Sequence, residues 1–387
     1  MKLRLLLLTL ACLSLSAAGP VLVMSFDGLG SRQFTAQTMP RLWKLSQEGQ
    51  RGEGLPPFPA TTFNGHATLA TGCGPEHHGI VANGFHQPGL GRVEYSAKAE
   101  YLQREPLWVA ATRSGVRTAV FHWPCATGPW EGVRPWRLKL FRLGDRDQEA
   151  LAFSEKALRD GAALVMTYVS GTDSEGHYHG PDSRQVRAKL ALIDQQFAPW
   201  LSRMLKATPG LRILLLADHG MARMERRIDV LPLLDPADDV IAHGGSAFVY
   251  LGTPLAAGTV ERLQALGLRV DRPADLPAAM LLGGNPRVGD LVLQAPIGAW
   301  IAQGRTARER RREQVGRQGA HGYMLDAPEM RTWLVALGTG RSTPIPATPL
   351  WNIAPTVAQW LGVRWAAAPD GVPVAELQEQ GSSAVIN

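Results

Sequence analysis

The stretch VLVMSFDG (21–28) decides the architecture, because six residues with no apolar–polar alternation end directly in Asp27-Gly28. A strand with one wet face alternates apolar and polar residues. A continuous run belongs instead to a strand covered on both faces, as in a parallel sheet between helices. The same signature returns in TAVFHW (118–123), ALVMTYV (163–169), RILLLA (212–217) and MRTWLVAL (330–337). Between two of these runs, residues 183–205 place Val186, Leu190, Ile193, Phe197 and Trp200 at spacings of three and four. That pattern predicts a helix with one apolar face, kinked or ended at Pro199. A second helix is predicted in WNIAPTVAQWLG (351–362). The fold class is therefore α/β, a three-layer α/β/α sandwich around a mostly parallel central sheet.

The rhythm breaks between residues 222 and 318, where short pieces such as AFVYLG and RVGDLVLQA suggest hairpins. We read 20–221 as the first part of the catalytic core, 222–318 as a small inserted cap, and 319–387 as the last part of the core with a tail. The tail after Trp365, rich in Ala and Pro, is expected to be loosely ordered.

The first nineteen residues have a basic start and an apolar run from Leu5 to Leu15, then small residues before Pro20. This is a secretory signal pattern, too short for a membrane anchor. It implies a periplasmic or secreted protein with no transmembrane segment after cleavage; a lipid on Cys12 is the weaker alternative. The full chain carries a formal charge of +6, and loss of Lys2 and Arg4 leaves 38 basic against 34 acidic residues. That balance suits anionic substrates and does not call for a nucleic-acid partner. The one dense basic run, RTARERRREQVGR (305–317), interleaves Glu309 and Glu313 and reads as a solvated helical face rather than a phosphate-binding patch. Only Cys73 and Cys125 remain after cleavage, so one disulfide is possible and no disulfide scaffold is.

Acids follow three of the buried runs: Asp27, Asp173 and Asp218. Ligands in open parallel sheets bind at the carboxyl ends of strands, so these groups can converge. His177 lies four residues after Asp173, His219 adjoins Asp218, and His321 follows the presumed cap. Singly, each acid reads equally well as a helix cap or turn residue. Together, three aspartates and three histidines without thiolates suit two open sites for divalent ions, the usual clamp for displacement at phosphorus. His66, His77, His78, His86, His122, His179 and His243 read as surface or hydrogen-bonded histidines. In PPFPATTFNGHATLATGCGPEHHG (56–79), a short helix ending at Gly72 would put Thr62 at its N-cap, facing unpaired backbone N–H groups. Thr68 and Thr71 lack that position.

These residues resemble the nucleotide pyrophosphatase/phosphodiesterases of the alkaline phosphatase superfamily. The matching pieces are SFDG (25–28), FPATTF (58–63), the Thr71–Asn83 segment, YVSGTDSEGHYHGP (168–181), ADHGM (217–221), GNPRVGDLVL (284–293) and GAHGYMLDAPEM (319–330). The resemblance implies an alkaline phosphatase-like fold with two metal ions, zinc by preference. One would be held by Asp173, His177 and His321. The other would be held by Asp27, Asp218, His219 and the hydroxyl of Thr62, the nucleophile that forms a phosphothreonine. Asn83 would bond a phosphoryl oxygen, and Phe63 and Tyr168 would pack against the substrate. A small phosphodiester or nucleotide is the implied substrate. The alternatives are a related hydrolase of phosphonates, lysophospholipids or phosphomonoesters and, more distantly, an inactive secreted binding protein. The chain departs from the family in having Asn64-Gly65 where Pro-Asn is common, and Cys125 where the family's Trp-Pro-Gly turn has glycine.

Overall fold

The computed structural model describes residues 19–142, 144–304, 317–324 and 326–378. The proposed leader with Cys12, and residues 305–316 of the basic run, lie outside the described residues.

Eight strands form the central sheet: β1 (Val21–Phe26), β2 (Gln50–Leu55), β3 (Thr118–Phe121), β4 (Arg137–Lys139), β5 (Leu164–Val169), β6 (Arg212–Leu216), β7 (Thr332–Leu337) and β8 (Thr348–Pro349). Their spatial order is β8-β2-β7-β6-β1-β5-β3-β4. Every pairing is parallel except those of β7, which is antiparallel to both β6 and β2. β1 shows why its sequence does not alternate: Val21 and Val23 enter one apolar cluster, and Leu22, Met24 and Phe26 enter the cluster on the opposite face.

Helices cover both faces. α1 (Pro40–Ser46), α4 (Glu149–Arg159) and α6 (Arg184–Ala207) pack on one side. On the other lie α2 (Thr62–Thr71), α3 (Leu107–Arg113) and α7 (Ile353–Leu361), while α5 (Gly171–His179) follows β5. The predicted apolar stripe of α6 is buried, but Pro199 does not end the helix. Pro199 and Gln195 are both exposed, so the carbonyl that the proline leaves without a donor can meet water.

Between β6 and β7 in the chain, Asp239–Ala242, Ser246–Tyr250, Leu291–Gln294 and Arg269–Asp271 form an antiparallel sheet in that spatial order. It has its own apolar cluster around Val249, Leu263, Leu293 and Ile301. Arg287, buried on this side, fastens it to the core by donating to the carbonyls of Gly79 and Tyr101, both at 2.7 Å. As far as Gln378 the tail is better ordered than its composition suggests: Val374 and Leu377 are buried, and the Trp360 indole donates to the Leu377 carbonyl; residues 379–387 lie outside the described residues. Cys73 and Cys125 are buried free thiols. Cys125 sits at φ 61°, the left-handed region that favours the glycine it replaces. Among the described residues no helix is long and apolar enough to cross a membrane.

Candidate active site

The carboxyl ends of β1, β5 and β6 lie side by side in the sheet, so the acids that follow them meet. Asp27 closes β1, Asp218 and His219 follow β6, and Asp173 and His177 lie one turn apart on α5. Gly28 at φ 68° permits the crowding, since a side chain there would press on Asp173 Cα at 3.0 Å. Its N–H donates to Asp218 Oδ1 at 3.2 Å.

The six acids and histidines gather as two groups, Asp173/His177/His321 and Asp27/Asp218/His219, each with potential ligand atoms within 4.8 Å of one another. In the first, Asp173 Oδ1 is 3.4 Å from His177 Nε2 and 3.9 Å from His321 Nε2. In the second, His219 Nε2 is 3.4 Å from Asp27 Oδ1 and 3.3 Å from Asp218 Oδ2. The rings of His219 and His321 stack at 3.9 Å, which joins the groups.

The donor chemistry fits divalent cations. Asp173 Oδ1 and Asp218 Oδ2 are buried without a hydrogen-bond partner. Each of the three histidines has Nδ1 against a backbone carbonyl: Gly319 at 2.9 Å for His177, Gly220 at 2.9 Å for His219 and Ala60 at 3.0 Å for His321. Nδ1–H therefore donates, and the Nε2 lone pair points into the group, the arrangement that orients imidazole for a metal. Burial, then the charges of Asp218 and Asp173, push the Asp27 carboxyl well above the usual range. Burial opposes ionisation of Asp218 too, and only positive charge on the facing His219 and His66 would offset it. Carboxylates crowded this way need a cation to ionise together.

Thr62 is the first residue of α2, and Thr61 is its N-cap, one position earlier than the sequence suggested. The Thr61 hydroxyl is buried and unpartnered, whereas Thr62 Oγ1 lies 3.2 Å from His219 Nε2 and 3.5 Å from Asp27 Oδ1. The two threonines are thus separated by a half-turn of backbone that aims only Thr62 at the acids. Gly65 lets α2 lie against β6, because a side chain there would come within 2.8 Å of Asp218 Cβ. His66, fully buried, spans Thr62 O at 2.7 Å and Asp218 Oδ2 at 3.3 Å. Asn83 Oδ1 accepts the Phe63 N–H at 2.9 Å, which leaves its Nδ2 as the donor, beside the Tyr95 hydroxyl.

A cavity of about 670 Å³ opens over Thr62, Asn83, Asp173, His177 and His321. Phe63 and Tyr168 are not part of its lining. Phe63 packs edge-on against Tyr95, with ring centroids 6.0 Å apart, and the Tyr168 hydroxyl donates to Asp27 Oδ2 at 2.5 Å. Tyr95, His243, Trp300, Gln303 and Arg317 complete the wall and were not picked out from sequence. The one signal available was Arg317, the last residue of the basic run. His243, first read as an ordinary histidine, is neutral: burial lowers it to about 3, and its Nε2 has no partner.

The chain as a whole is similar to known proteins. A profile described as type I phosphodiesterase / nucleotide pyrophosphatase matches residues 21–324. Ectonucleotide pyrophosphatase/phosphodiesterase C27A7.1 of Caenorhabditis elegans is 25% identical over 86% of this chain and 41% of its own length. Mouse family member 7 is 24% identical over 82% of this chain and 77% of its own. The chain spans less than half the length of the first of these relatives. Murine ectonucleotide pyrophosphatase/phosphodiesterase 5 superposes with a TM-score of 0.79 over 91% of this chain and 97% of that one, at 22% identity. The same fold was solved for an inactive threonine-to-alanine variant of that mouse protein in complex with AMP.

Proposed function

Because the chain belongs to the type I phosphodiesterase / nucleotide pyrophosphatase family, we propose that it hydrolyses a phosphodiester or pyrophosphate bond of a small nucleotide-like substrate, with Thr62 as nucleophile. The observation that carries this reading is the seat of Thr62 Oγ1, 3.2 Å from His219 Nε2 at the buried group and open to the cavity beside Asn83.

Asp27, Asp218 and His219 would hold one divalent ion and Asp173, His177 and His321 another, zinc being favoured by the mix of imidazole and carboxylate. When bound, such ions supply Lewis-acid stabilisation of charge at the attacking and departing oxygens. Thr62 Oγ1, its proton given up to solvent, forms the new bond to phosphorus while the bond to the departing oxygen breaks with its electron pair. Asn83 Nδ2 donates to a non-bridging phosphoryl oxygen, and the positive end of the α2 dipole faces the same charge. Water then displaces Thr62 from the phosphothreonine, and two in-line displacements restore the configuration at phosphorus. The AMP complex of the mouse relative supports a nucleotide-sized ligand. The leader-like first nineteen residues and the ectonucleotide relatives support a periplasmic or secreted location. Residues 222–318 serve in this reading as a cap over the site.

Thr62→Ala tests the assignment. Turnover of a nitrophenyl nucleotide diester should all but vanish while metal content, measured by atomic emission, stays at two equivalents. Near wild-type turnover in that variant would remove Thr62 from the role.

A further inference from the structure

In-line displacement places the departing group opposite Thr62 across phosphorus, and that direction leads away from the buried group and into the cavity. Tyr95, His243, Trp300, Gln303 and Arg317 line this cavity together with Asp173, His177 and His321. The side chains that the resemblance gave to substrate contact, Phe63 and Tyr168, are not part of that wall. Arg317 therefore shares one cavity with Asp173 and His177, the group that would take the departing oxygen in the proposed reaction.

The charge on this wall is uneven. Glu94 lines it but is paired with Arg92 at 2.8 Å, and Arg92 pairs in turn with Asp239 at 2.9 Å. Arg317 also lines it and has no carboxylate partner among the described residues. It lines the same cavity as Tyr95 and His321. His243 adds a neutral imidazole with no side-chain hydrogen bond among the described residues.

We propose that Arg317 is a specificity-determining residue that reads negative charge on the departing group, so that a phosphate-bearing leaving group is preferred over a neutral alcohol or phenol. This rests on the diesterase reading above, and it assigns the end of the basic run a ligand-facing role that its composition did not suggest. An unpaired guanidinium suits phosphate oxygens, to which it can donate two parallel hydrogen bonds. The position is exposed, so substitution there removes the charge without leaving a hole in the core.

The test compares kcat/KM for a nucleoside triphosphate, which loses pyrophosphate, with kcat/KM for the nitrophenyl ester of the same nucleoside monophosphate. In Arg317→Ala the ratio of the two should fall at least about tenfold, the lower range for a hydrogen bond to a charged group. Arg317→Lys, which keeps the charge, should regain most of that ratio. An unchanged ratio in Arg317→Ala, or no recovery in Arg317→Lys, overturns the proposal. Calorimetric binding of inorganic pyrophosphate to the metal-loaded protein gives a readout that needs no turnover: affinity should weaken by about the same factor in Arg317→Ala, and equal affinity overturns the inference. Absence of diester turnover in the wild type would instead sink the proposed reaction, so the two failures are told apart.

Discussion

Asp27, Asp218 and His219 are sealed to 2% exposure or less, whereas Asp173 and His177 reach the cavity with side chains 16% and 20% exposed. The buried group has two carboxylates at the ends of core strands and lies against Thr62, the proposed nucleophile. The open group has one carboxylate, set with His177 on α5, and an imidazole, His321, from a distant part of the chain. Two carboxylates neutralise a dication; one carboxylate leaves it a net positive charge for a departing oxygen. An uncompensated pair of buried carboxylates costs several kcal/mol even after relaxation, so an ion at the buried group belongs to the fold as much as to the chemistry. An ion at the open group would be replaceable from solution, and in the proposed reaction it would act mainly on the leaving group.

Removing a ligand from each group is the strongest way to break this contrast. Loss of an outer partner of a metal ligand typically costs about 10–100-fold in affinity or activity, so loss of a ligand itself should exceed that. Asp218→Ala should lose one metal equivalent and more than about 100-fold in turnover, with a lowered melting temperature. His177→Ala should lose turnover too, yet melt close to the wild type. Equal melting shifts in the two variants would show that burial does not separate the groups. Stepwise chelation is the milder test. The first equivalent should leave with activity and little change in melting temperature, the second with a clear drop. Simultaneous release of both would erase the distinction.

Much of this arrangement is legible in the chain, and the reason is burial. VLVMSF, ALVMTYV and RILLLA declare themselves because both faces of β1, β5 and β6 are covered, and the acids behind them are at strand ends where a parallel sheet must place them. β2, sequence QRGEGL, carries no such signal because four of its six residues are only half buried. The antiparallel insertion of β7 between β2 and β6 depends on long-range packing that no local pattern encodes. Thr61 and Thr62 are both competent caps, so composition could not place the start of α2 to within one residue. The cavity wall was the least legible part. Tyr95 follows a hairpin, His243 and Trp300 come from the inserted sheets, and Arg317 ends a charged run; only tertiary structure brings them to one surface.

The subtlest test of the buried group is Tyr168. Its ring packs on His66 with centroids 4.9 Å apart, and its hydroxyl donates to Asp27 Oδ2. Burial, then the charge of Asp27, push the phenol well above its ordinary range, so it remains a donor throughout physiological pH. In the proposed two-ion reading Tyr168 would be an outer support of a metal ligand, whatever its ring also contributes toward substrate. Tyr168→Phe keeps the ring and deletes the donor, so metal affinity at the buried group should weaken by about tenfold, the smaller end of the range for such supports. KM for the nitrophenyl diester should hold at saturating metal. The reverse pattern, a raised KM with metal affinity intact, would mean that the hydroxyl serves the substrate directly and that Asp27 is oriented by the Thr172 hydroxyl on its backbone carbonyl and by the strand alone.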